Sequence, residues 1–237
     1  MSTALGIKLF ADGADVASVL AAARDPRIAG FTTNPTLMRR AGVADYRAFA
    51  HELLAAIPDR PISFEVTSDE LDEMRRQARL LAGWGSNVYV KVPITNTQGV
   101  SCADLIRELS HDGVKVNVTA VLPFAQVQTA VAALAGGAPS VVSVLAGRIA
   151  DTGRDPIPLM RDAAALCRGT SPDIELLWAS PREALNVRQA AECGCHVITA
   201  TPELIKKLDF YDLPLEQLSL ETVQMFRRDA EAAGFEL

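Results

Sequence analysis

Long apolar runs are missing from this sequence. Each hydrophobic stretch ends within about eight residues, short of the ~20 needed to span a bilayer. The opening MSTALGIKLFADGADV has no basic start, apolar run and small-residue cleavage site in succession. The expectation is a cytoplasmic protein with no membrane partner. Positive charge is also short: 23 Lys and Arg against 29 Asp and Glu give a formal net charge of −6. Without a Lys/Arg stripe, such a chain repels a phosphate backbone at long range, which argues against a nucleic-acid partner. A small anionic substrate stays open, since one or two well-placed arginines decide that locally. Cysteine is sparse, and Cys102, Cys167, Cys193 and Cys195 form no CxxC pair and have no His at ligand spacing. They read as small buried residues, with the Cys193-Gly194-Cys195 turn as the one candidate redox-sensitive spot, and no metal site is expected. His51, His111 and His196 stand apart from every motif below and read as non-catalytic. No Pro/Gly/Ser linker or low-complexity tract divides the chain, so residues 1–237 read as one domain. No GxGxxG follows the first strand, which removes the main support for a dinucleotide site.

What is present is a regular alternation. Eight β-rich apolar runs fall at 7–12, 30–34, 62–67, 87–94, 114–121, 140–147, 173–180 and 196–201. Between them lie amphipathic segments such as DELDEMRRQARLLAGWG and AQVQTAVAALAGG, apolar at i, i+3, i+4 and i+7. Several end in glycine, at Gly83, Gly136 and Gly194, which suits a left-handed residue just past a helix. Strands alternating with helices mean βαβ units and a parallel sheet. Eight such units in this length predict an α/β fold, a closed (β/α)8 barrel, with an extra C-terminal helix over 218–237.

Strands of a parallel barrel should be almost wholly apolar. Here polar residues gather at their C-terminal ends: Asp12, Asn34, Glu65, Lys91, Asn117 with Thr119, Ser143 and Ser180. Any one could be a helix cap. So many on one rim is costly to bury without purpose, and that rim is where barrel active sites form. Lys91 stands out, inside the otherwise apolar NVYVKVPI, where alternation puts it on one face with Asn87 and Tyr89. Burial there disfavours the ammonium, and a neutral amine attacks carbonyls. Glu65 and Thr119 on neighbouring strands can hold the water that carbinolamine chemistry needs. Arg148 and Arg182 follow the sixth and seventh strands, where barrel loops often bind phosphate and a guanidinium offers two matched donors. Along DIELLWAS, alternation places Trp178 on the face of Ser180, so the indole is expected beside the barrel mouth.

These residues together resemble the transaldolase family, in particular its small members and the related fructose-6-phosphate aldolases, through almost the whole chain. FTTNPTL is similar to the family's TTNP signature, which implies dihydroxyacetone binding at Thr33 and Asn34. YVKVPIT is similar to the Schiff-base strand, which implies Lys91 as the covalent residue. The resemblance also implies proton transfer by Asp12 at the C4 hydroxyl, water handling by Glu65 and Thr119, and substrate holding by Asn117. SVLAGRI and ASPR resemble SPFVGRI and ASFR, which carries Ser143, Arg148, Ser180 and Arg182 to substrate and phosphate binding. Glu65 stands where transaldolases have glutamate and the aldolases glutamine. Leu145 stands where transaldolases have phenylalanine and the aldolases a tyrosine that activates water. Without that hydroxyl the chain looks more like a transferase than a lyase. Leu145, Trp178 and Pro181 depart from the family pattern, and they leave the acceptor sugar open. The implied activity is transfer of dihydroxyacetone from a ketose phosphate, of the fructose 6-phosphate or sedoheptulose 7-phosphate type, to an aldose phosphate, in the manner of the pentose phosphate pathway. It needs no cofactor and no metal. The alternatives are a lyase that releases dihydroxyacetone and, remotely, a non-catalytic sugar-phosphate-binding barrel. The resemblance further implies a homo-oligomer, as a ring of five or two stacked rings, with the C-terminal helix reaching a neighbour.

Overall fold

The computed structural model describes residues 6–235. The sequence reading of the first five residues, and of the last two in the 218–237 segment, lies outside the described residues. Eight strands follow in order: β1 Lys8–Asp12, β2 Ile28–Thr32, β3 Ile62–Glu65, β4 Val88–Pro93, β5 Val116–Val121, β6 Ser140–Val144, β7 Ile174–Trp178 and β8 Val197–Ala200. Each is parallel to the next, β8 pairs with β1, and the barrel closes. The helices of the first half are α1 Val16–Ala22, α2 Pro35–Arg40, α3 Tyr46–Ala56, α4 Leu71–Ala82 and α5 Ala103–His111. Those of the second are α6 Phe124–Leu134, α7 Ala146–Asp151, α8 Ile157–Thr170, α9 Leu185–Glu192, α10 Pro202–Lys207 and α11 Leu215–Ala233. The fold is the expected (β/α)8 barrel. The chain divides into two compact units, Met1–Ile205 with the barrel and Lys206–Leu237 with α11. Among the described residues no helix is long and apolar enough to cross a membrane.

Short-range chemistry sets many of these boundaries. Asp15, Asn34 and Asp45 accept from the backbone N–H three residues on, at 2.8–3.0 Å, and so start α1, α2 and α3. Gly136 and Gly194 take the left-handed backbone, both at φ 77°, just beyond α6 and α9. Gly83 does not. Its φ is −72°, because α4 runs on into a turn that any residue could make. The second strand also begins and ends two residues earlier than its apolar run suggests, so Thr33 and Asn34 belong to the strand-to-helix junction.

Inside the barrel, Phe10, Val141, Leu177, Ala179 and Val197 form a buried apolar layer, with Ala29, Tyr89 and Leu145 packed against it. The Phe10 ring lies so close to β2 that a Cβ on Gly30 would come 2.5 Å from it, so glycine there answers to the ring on the neighbouring strand. On β7, Glu175 and Leu177 belong to this inner face, since both line cavities of the lumen. Ile174, Leu176 and Trp178 therefore point outward between strand and helices. The sequence expectation for Trp178 is corrected here. It is only 1% exposed and lies off the cavity wall. The reason is local: β7 ends at Trp178, and Ser180 has φ 57°, so alternation cannot be carried from one to the other.

Candidate active site

A cavity of about 630 Å³ opens at the C-terminal ends of the strands, within the range usual for small-molecule sites. Lys91, Asp12, Glu65 and Thr119 all line it, as do Asn34, Ser143, Leu145, Arg148, Ser180 and Arg182. Strand register builds its centre. Glu65 stands beside Lys91 across β3 and β4, and Lys91 stands beside Asn117 across β4 and β5. Lys91 is 7% exposed, and its amine lies 2.9 Å from Glu65 Oε2 and donates to the Thr33 carbonyl at 2.7 Å. Strand pattern could suggest a buried lysine, but not this ion pair. Glu65 is itself fixed from behind. The Tyr46 hydroxyl accepts from its N–H at 2.8 Å and donates to its carbonyl at 2.9 Å. The Tyr46 ring packs on Phe64 and Trp84, and burial keeps the phenol neutral by pushing its pKa far up.

Asp12 is the buried acid of the cavity whose pKa is raised. Burial raises its pKa above the usual carboxylate value; the Lys91 charge and a hydrogen bond from Thr32 oppose the rise, and the Glu65 charge adds to it. Thr32 donates to Asp12 Oδ1 at 2.8 Å and shares a 2.6 Å contact with the Thr199 hydroxyl. Nearby, Ser143 donates to Asn117 Oδ1 at 2.6 Å, and Asn117 Nδ2 donates to Ser63 Oγ at 3.1 Å. Asn117 is thus a support for the wall, not part of it. Thr33 is likewise held off the wall, its hydroxyl donating to the Ser63 carbonyl at 2.9 Å.

The rim is built from the loops after β2, β6 and β7. Asn34 spends its side-chain oxygen on capping α2 while still lining the cavity. Arg182 grips Asp151 through both its Nε (2.8 Å) and Nη2, which holds the Asp151 pKa down. Arg148 stands on the same side without an ion pair among the described residues. Gly147 N donates to the Ala179 carbonyl at 3.3 Å, and a Cβ there would meet the Ser180 carbonyl at 1.5 Å. Only glycine lets α7 touch the loop after β7.

Among the lining residues that the sequence pattern did not mark as site residues are Thr32, Thr199, Arg40 and Asp151. Thr32 and Thr199 sit near strand ends like the residues that were singled out, so the same signal covered them. Asp151, three residues after Arg148 on α7, and Arg40, at the end of α2, look like ordinary surface charges until the loops are placed. No histidine or cysteine lines the cavity. The four cysteines are buried and unpaired with one another, and burial raises the pKa of each thiol. Among the described residues no group of three or more His, Cys, Asp or Glu could hold a metal ion.

A closed parallel barrel whose titratable groups crowd one cavity at its C-terminal mouth defines a (β/α)8-barrel enzyme. The family described as Transaldolase/Fructose-6-phosphate aldolase matches residues 9–237, and the chain belongs to that family. A probable transaldolase of Hyphomonas neptunium is 35% identical over 233 residues, covering 98% of this chain and 100% of its own. One of Dehalococcoides mccartyi is 32% identical over 202 residues, covering 85% of this chain and 90% of its own. Among solved structures, a putative deoxyribose-phosphate aldolase from Coccidioides immitis superposes with a TM-score of 0.59 at 10% identity, covering 86% of this chain and 85% of its own. At that identity the likeness concerns the fold alone.

Proposed function

We propose that this enzyme transfers dihydroxyacetone between sugar phosphates through an imine on Lys91. The observation that carries the reading is the Lys91 amine, buried on the barrel lumen, 2.9 Å from a carboxylate and in one cavity with the perturbed Asp12. Glu65 is placed to take the ammonium proton, which frees the amine to attack the C2 carbonyl of a ketose phosphate. Loss of water gives the imine. Asp12 then accepts the C4 hydroxyl proton, the C3–C4 bond breaks into the imine, and an aldose phosphate departs. The enamine left on Lys91 attacks the carbonyl of an acceptor aldose, and Asp12 returns the proton to its oxygen. Thr119 and Glu65 handle the water that forms and finally hydrolyses the imine. Ser143 and Asn34 suit the hydroxyls of the three-carbon unit, with Asn117 holding Ser143. Arg148, Arg182 and Ser180 suit the phosphate. Leu145 lines the cavity without a hydroxyl to activate water, which favours transfer to an acceptor over release.

The test is borohydride trapping with fructose 6-phosphate, mapped by mass spectrometry. A three-carbon adduct on Lys91 is expected, absent in Lys91→Met. An adduct on Lys8, Lys115, Lys206 or Lys207 instead overturns the assignment. Donor consumption should speed strongly when erythrose 4-phosphate is added; equal rates with every acceptor tried favour the lyase.

We further propose that the protein is a homo-oligomer that pairs through α11. None of the residues of α11 is buried, and Leu215, Leu218, Met225 and Phe226 form an exposed stripe on one face.

A further inference from the structure

Thr32 and Thr199 lie on the strands either side of β1, which carries Asp12. Asp12 pairs in register with Thr32, and Phe10 pairs with Thr199. The 2.6 Å contact between the two hydroxyls therefore spans β1 on its lumen side, beneath the carboxylate. Both threonines are buried, and both line the cavity. A threonine hydroxyl has one proton, and an ionised carboxylate only accepts. With the Thr32 proton committed to Asp12 Oδ1, the short contact can be made only by the Thr199 proton. The chain thus has one direction, Thr199 to Thr32 to Asp12.

We propose that Thr199, acting through Thr32, is a positioning residue that fixes the Asp12 carboxylate for its proton transfer. The proposal rests on the reading of Asp12 as acceptor of the C4 hydroxyl proton. Thr32 occupies Oδ1, and among the described residues no hydrogen bond reaches Oδ2, which faces the work of accepting the substrate proton. Polarisation along the chain strengthens the bond to Oδ1 and favours the charged carboxylate, against the burial that opposes it. No proton is gained or lost by the relay: the threonines keep theirs, and Asp12 takes one from the donor sugar and returns it to the acceptor.

The charges facing Asp12 are Lys91 from β4 and Glu65 from β3, with Arg40, Arg148, Asp151 and Arg182 at the rim of the cavity. All are unchanged when only Thr199 is altered, so a shift in the pH profile reports the relay. Thr199→Val keeps the shape and removes the donor. The acid limb of kcat/KM for fructose 6-phosphate should move to higher pH by about 0.5–1 unit, with a roughly three- to tenfold loss of rate on that limb. Thr199→Ser should restore both. Trapping of dihydroxyacetone on Lys91, which breaks no C3–C4 bond, should fall far less than cleavage does. Thr199→Ala serves as a second hydroxyl-free variant should Val not fold. An unmoved limb and rate in a folded hydroxyl-free variant, with Asp12→Asn inactive, overturns the relay. So does a Ser variant as impaired as Val. Full cleavage by Asp12→Asn instead removes the reading of Asp12 itself, which is a separate outcome.

Discussion

Asp12 shows how a buried carboxyl can weaken the fold that holds it. Its folded-state pKa lies above the ordinary value, so the charged form is disfavoured by folding. Below the ordinary value of 3.8 Asp12 is neutral both folded and unfolded and carries no ionisation penalty, and stability is lost as pH rises from there through the raised folded value. Asp12→Asn should therefore be more stable than the native protein at neutral pH and inactive in cleavage. Each kcal/mol of relief would read as about 2–4 °C in Tm. Thermal melts at pH 7 and near pH 4 check this, and the gap should shrink on acidification. An Asn variant that melts lower at neutral pH would mean that the carboxylate's bond from Thr32 and its attraction to Lys91 outweigh its desolvation.

At the scale of elements, the rim depends on α7 meeting the loop after β7. Gly147 lies against the Ser180 carbonyl, Ser180 takes a left-handed backbone, and Arg182 reaches Asp151 on α7. The fit has little slack, because the atom in the way of a side chain at position 147 is backbone. Gly147→Ala should push the loop outward, with an overpacking penalty of about 1–3 kcal/mol, seen as a lower Tm. KM for phosphorylated donors should rise by about tenfold or more as Arg148 and Arg182 lose register, on the scale of one charge-assisted hydrogen bond. Trapping of unphosphorylated dihydroxyacetone on Lys91 should persist, since β3, β4 and β5 are untouched. Equal loss for both ligands would show that the two loops support the whole site and not its phosphate end.

For the whole molecule, the question is what covers α11. Its 19 residues present Leu215 and Phe226 at 76% and 62% exposure, values that water alone does not favour. Light scattering should give a mass that is a multiple of the 25.4 kDa chain. The double variant Leu218→Glu, Phe226→Glu should shift it toward that single mass while the barrel stays folded. A native protein that runs as a monomer at every concentration removes the pairing through α11.

Period and composition alone carried the architecture, because a strand that repeats with a helix eight times closes into few shapes. They also carried Lys91, Asp12, Glu65 and Thr119, since a polar group in an apolar strand is visible without coordinates. Single-residue geometry was not legible in the same way. Alternation misplaced Trp178 because the left-handed backbone at Ser180 breaks the period just past β7. Thr32 and Thr199 lie 167 positions apart, and Asp151 and Arg182 are 31 apart. No local rule pairs residues at such distances. The sequence determined which strands carry polar residues and at which end. Only the closed barrel decided which side chains touch, because closure brings β8 against β1 and turns separate strand ends into one set of contacts.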